Sequence, residues 1–153
     1  MNKILVYFLA AMLTMSGDVL ATPVTAPRAC MKTVGQLYKD AGAMANQGRF
    51  LDAAALFEVD STIYLHCARD PHDRLFALER LASAMALWNQ AGDRARGHRL
   101  LATLQSQLSA VTATKGYRPT IEDRMTIDDL RLIIRSDLAG KFPLWSDPRM
   151  PPL

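Results

Sequence analysis

Two cysteines, Cys30 and Cys67, are the residues of this chain whose chemistry is most constrained by their type and number. A thiol pair of this kind can close a disulfide or help hold a metal. His66 and His72 lie near Cys67, but adjacent helical residues point about 100° apart and no second pair at zinc spacing follows, so the pattern speaks against metal. The other titratable groups are scattered. His98 sits in an Arg-rich stretch with Arg94, Arg96 and Arg99, and the glutamates Glu58, Glu79 and Glu122 each read as part of a solvated helix face. No G-x-S-x-G elbow, H-E-x-x-H helix, phosphate-cradling Gly-rich loop or dinucleotide fingerprint occurs. Neither catalysis nor a cofactor is expected.

Positioning these groups falls to helices. Residues 31–47 carry Val34, Leu37, Tyr38, Ala41, Met44 and Ala45 at spacings of three and four, one stripe of a helix that Gly48 ends. Residues 50–66 place Phe50, Ala53, Phe57 and Tyr64 on one face with Leu56, Val59 and Ile63 beside them, so this helix should be sandwiched between neighbours. Asp70-Pro71 starts a third helix, to about Ala91, through capping and the proline's fixed φ. A fourth carries Gly97, Leu100, Leu101, Leu104, Leu108 and Val111. The fifth carries Ile127, Leu130, Ile133, Ile134 and Leu138, with Thr126 and Asp129 as its expected capping box and Gly140 as its stop. No stretch alternates as a strand would. The chain is therefore expected to be all-α, with about five helices over residues 30–140.

Residues 1–21 show Lys3, the apolar run Ile4–Met15 and the small-ended Val19-Leu20-Ala21, the order of a secretory signal peptide. This twelve-residue run reaches only about 18 Å as a helix, short of a hydrocarbon core of about 30 Å. Cleavage and release into the periplasm are expected rather than a stable membrane anchor. Pro27-Arg28-Ala29 before Cys30 lacks the pattern of a lipid-attached cysteine. Residues 22–29, with two prolines, read as an extended lead-in, and the Pro-rich tail 141–153 around Phe142, Leu144 and Trp145 cannot be helical. That tail either plugs a groove on its own domain or presents an extended segment to a partner.

Cleavage leaves 17 basic and 14 acidic residues, a balance still near +3. In an exported protein this suits an acidic protein face, an envelope polymer or a membrane surface, or simple solubility, better than nucleic acid. Export also favours oxidation of the two thiols. Cys30 and Cys67 flank Gly48-Arg49 symmetrically, the point where periodicity puts the turn between the first two helices. Residues equidistant from an antiparallel turn meet, so a Cys30–Cys67 staple is expected.

Leu37, Ala41, Met44, Gly48, Phe50, Ala53 and Phe57 match, in order, the large, small, large, turn-glycine, aromatic, small and aromatic positions of a tetratricopeptide repeat, which this segment resembles. Leu81, Trp88, Gly92, Gly97 and Leu101 form a looser copy 44 residues on; Met85 stands there at a small position, and Asp60 replaces the first copy's later alanine. The resemblance implies antiparallel helix hairpins stacked as a short solenoid with a concave face that binds protein segments. A closed helical bundle would use the same stripes. The inward positions, Gly35, Tyr38, Gly42 and Ala45, then Glu79, Ala82, Ala86 and Asn89, lack a carboxylate clamp, since only Asn89 fits one. The expectation is a periplasmic adaptor for another envelope protein, with Tyr38, Ala45, Asn89, Arg96, Arg99 and Trp145 as contacts. An inhibitor or immunity protein that occludes an envelope enzyme or toxin is the alternative.

Overall fold

The structure, a computed structural model, describes residues 26–141. The expected signal segment 1–21 and the tail 142–153, Trp145 included, lie outside the described residues. Within them the chain folds into five helices and no strand: α1 (Ala26–Asn46), α2 (Phe50–Cys67), α3 (Pro71–Gln90), α4 (Arg94–Thr112) and α5 (Ile121–Leu138). The all-α expectation holds, and most boundaries fall where periodicity and turn residues put them.

Two local expectations are corrected. The helix begins at Ala26, so the described part of the lead-in is helical; Pro27 sits in the first turn, where its missing N–H has no partner to lose. The capping box of α5 is Thr120 with Asp123, six residues before Thr126 and Asp129: Thr120 Oγ1 accepts from Asp123 N–H at 3.1 Å, and Asp123 Oδ2 accepts from Thr120 N–H at 2.9 Å. The same residue types recur at the same spacing, and the earlier pair follows Pro119 at the real break. Asp70 caps α3 as expected, and Asp93 caps α4 by accepting from Arg96 N–H at 3.0 Å.

Three-residue turns join α1 to α2 and α3 to α4. Gly48 (φ 72°) and Gly92 (φ 89°) supply the left-handed backbone. The following N–H reaches back to the last turn, Arg49 to Met44 O and Asp93 to Trp88 O, both at 2.9 Å. The first hairpin is stapled: Cys30 and Cys67 are disulfide-bonded with their Cα atoms 6.4 Å apart.

Each helix packs on the next in chain order, and α3 also reaches α5. Helix α3 is central: every residue from Leu81 to Asn89 is buried. Between α1, α2 and α3 the core is alanine-rich, Ala41, Ala45, Ala53, Ala54 and Ala84 around Phe57, Leu87 and Trp88, which lets backbones approach closely. Between α3, α4 and α5 the core is aliphatic, with Leu75, Leu78, Leu81, Leu104, Leu108, Leu130 and Ile133. At about 1.5–3 kcal/mol per fully buried large side chain, this second core holds α5 in place. None of the described helices is long and apolar enough to cross a membrane.

Candidate interaction site

Where α1, α2 and α3 meet, an aspartate, an arginine and two tyrosines are set in the apolar interface. Asp60, on α2, is fully buried and accepts from Arg80 Nη1, on α3, at 2.7 Å. The Arg80 guanidinium lies between two tyrosine rings, 4.4 Å from the centroid of Tyr38 on α1 and 4.6 Å from that of Tyr64, one turn beyond Asp60. Tyr38 is edge-on to Phe57, ring centroids 5.8 Å apart. Arg80 suits this place because its flat, weakly hydrated cation stacks on rings while its N–H fork meets a carboxylate.

Burial pushes the Asp60 carboxyl up to about 6, against the opposing charge and hydrogen bond of Arg80. Asp60 Oδ1 has no hydrogen-bond partner among the described residues. Burial likewise raises both tyrosine phenols, with Arg80 opposing. The cluster is thus a cation stack whose hydrogen-bonded counter-charge, Asp60, is fully buried, with Tyr38 at its half-buried rim.

Two glutamates expected on solvated faces are instead interhelical acceptors. Glu79 accepts from Thr126 Oγ1 at 3.0 Å, tying α3 to α5; burial raises its carboxyl, and Asp129 and Glu122 add to the rise. Glu58 accepts from Trp88 Nε1 at 3.0 Å and Arg96 Nε at 3.2 Å, while the Arg96 guanidinium stacks 4.1 Å over the Trp88 ring.

Both ends of α5 meet histidines from the starts of other helices. His72 Nδ1 lies 2.6 Å from Asp123 Oδ1, and His98 Nδ1 lies 2.8 Å from Asp137 Oδ2; both carboxylates are buried. Burial works against ionisation of Asp123, but hydrogen bonds from His72 and the Thr120 backbone prevail and hold it at about 2. The same hydrogen bond raises the His72 imidazole, with burial opposing.

Of the residues expected to contact a partner, Tyr38 alone falls in the cation stack. Ala45 and Asn89 are 4% exposed, packed into the chain's own interior, so they offer a partner no surface. An inward-facing helix position becomes core wherever the neighbouring helices close over it, and alanine-rich packing closes them here. Arg96 is engaged with Glu58 and Trp88, and Arg99 is exposed on α4. Periodicity missed Arg80, Asp60 and Tyr64 as a unit. The available signal was Asp60 itself, a carboxylate at a repeat position that takes a small residue, which calls for a cation from the neighbouring helix once it is buried.

Among the described residues no group of three or more His, Cys, Asp or Glu side chains is placed to hold a metal ion. Compared with protein-family models, curated proteins and solved structures, the chain matches none.

Proposed function

We propose that this protein is a periplasmic interaction module that binds a segment of another envelope protein along the face where α1, α2 and α3 meet. The observation that carries the reading is Tyr38, half-buried and held in place by the Arg80 guanidinium stacked on its ring, with the buried Tyr64 behind it. Tyrosine and arginine dominate the energetics of protein interfaces, and side chains already locked against each other lose little rotamer freedom when a partner arrives. The Cys30–Cys67 bond fits an oxidising compartment. Helix hairpins packed in chain order fit the tetratricopeptide-like reading of the first hairpin.

Crosslinking capture from periplasmic extract, analysed by mass spectrometry, tests this with three forms: wild type, Tyr38→Ala and Arg99→Ala. A specific partner retained by Arg99→Ala and lost with Tyr38→Ala supports the module and its site. Capture unaffected by Tyr38→Ala moves the site elsewhere, and no specific capture by any form overturns the reading.

A further inference from the structure

A groove of about 330 Å³ opens between the α4–α5 loop and the first three turns of α5. It stands at the small end of the roughly 300–1,000 Å³ of small-molecule sites. Its apolar walls are Ile127, Pro119 and the ring of Tyr117, and its charged lining is Arg124, Arg131 and Asp128. At about 100° and 1.5 Å per residue, the two arginines fall on one side of α5, about 10 Å apart along its axis, a gap that two long side chains can close over one ligand group. Neither guanidinium is strongly engaged. Arg131 Nη1 lies 3.3 Å from Asp128 Oδ1, but the two side chains are 54% and 74% exposed, so water screens the pair. Arg124 Nε makes one long bond, 3.4 Å to Pro119 O. Burial, with hydrogen bonding to Asp123, pushes the Tyr117 phenol up to about 12, so that wall stays neutral.

We infer that this groove binds a small amphiphilic carboxylate, a single apolar chain ended by one negative charge, with its head on Arg124 and Arg131 and its chain against Ile127, Pro119 and Tyr117. Charge sets the head. Two arginines less one aspartate leave the lining at +1, which matches a monoanion better than the nearly doubly charged phosphate monoester. The guanidinium N–H groups are shaped to receive a carboxylate. The walls set the body. Along the loop, Pro119 lacks an N–H, Tyr117 N–H is given to Thr114 O at 3.1 Å, and Thr120 N–H to Asp123 Oδ2 at 2.9 Å. These residues offer a peptide main chain no donor, and a buried amide left unbonded is costly. A ligand without amides meets the same walls at no such cost. Neither α5 nor the α4–α5 loop contributes to the tyrosine–arginine stack, so this site stands independently of what that stack binds.

The test is equilibrium dialysis of the full chain against radiolabelled decanoate, kept below the concentration at which it forms micelles. Saturable binding of one decanoate per chain is expected, weakened about tenfold by Arg124→Ala or Arg131→Ala and unchanged by Arg99→Ala. All three arginines are exposed, so the fold should tolerate their loss. Asp128→Asn frees Arg131 and should tighten binding about two- to fivefold, a gain that damage to the fold would not produce. Decanol, which lacks the charge, and decyl phosphate, which carries more of it, should both bind more weakly than decanoate. Absence of saturable binding overturns the site, as does binding that survives both arginine variants. Tighter binding of decyl phosphate overturns the carboxylate head. An acetylated peptide ending in an apolar residue that outcompetes decanoate overturns the ligand class in favour of a protein C-terminus.

Discussion

Gly97 lies directly against Asn89. A Cβ built on Gly97 would stand 2.3 Å from Asn89 Oδ1 and 3.1 Å from the Met85 carbonyl oxygen, so α3 and α4 touch with no room for a methyl group. Gly97→Ala gains about 1 kcal/mol of helix propensity. It must also displace a buried carboxamide, and overpacking of this kind costs about 1–3 kcal/mol. Chemical denaturation should show a net loss of stability, and a gain would mean that the two helices shift apart freely.

The Asp60–Arg80 pair is expected to behave asymmetrically. Arg80→Met leaves a buried carboxylate without its cation and should lose about 3–5 kcal/mol near neutral pH. The loss should shrink at pH 5, where Asp60 can take up a proton. In the wild-type chain the folded carboxyl lies at about 6, above its unfolded value, so its favourable contribution is complete below about pH 4 and is lost as pH rises through about 6. Asp60→Asn should flatten that part of the stability–pH profile. An unchanged slope would show that Asp60 does not titrate there.

His72 and Asp123 set a second window. The imidazole is raised in the fold, so its contribution is present below about pH 6.5 and is lost as pH climbs above that. Asp123 is lowered to about 2, so its contribution is present above about pH 4 and is lost in strong acid. The pair therefore stabilises most between about pH 4 and 6.5. Because the His72 side chain is 45% exposed, the effect should stay at or below about 1 kcal/mol. Thermal melts of His72→Gln and wild type should differ at pH 5.5 and converge by pH 8.5; a constant gap would assign the contact to packing alone.

Reducing the Cys30–Cys67 bond opens a loop of about 38 residues, for which chain entropy gives roughly 4 kcal/mol. Intact-mass measurement should show two hydrogen atoms gained on reduction, and the reduced protein should melt well below the oxidised form. Equal stability would mean that the ends of α1 and α2 are held without the bond.

The helices were legible because apolar spacing, Gly48, Gly92 and Asp70-Pro71 each act locally, and the disulfide was legible because two thiols lie symmetrically about one turn. The contact residues were harder to find. Ala45 and Asn89 look like an open face in one helix, yet whether such a face is open depends on how closely the next hairpin approaches, and alanines across the interface decide that. Nothing in the local sequence singles out Arg80, because its partners, Asp60, Tyr38 and Tyr64, come from two other helices. Thr126 matched a cap by type, but the chain break at Pro119 had already started the helix.

Because every helix packs on its neighbour in chain order, almost nothing in this protein waits for its far end. Short separations between partners favour rapid folding. A chain delivered N-terminus first through a narrow pore could complete the stapled hairpin while later helices are still in transit. The aliphatic core needs α5 as well as α3 and α4, so it would seal last, when α5 arrives. Refolding rates of fragments ending at Gln90 and at Leu138 would follow this order directly.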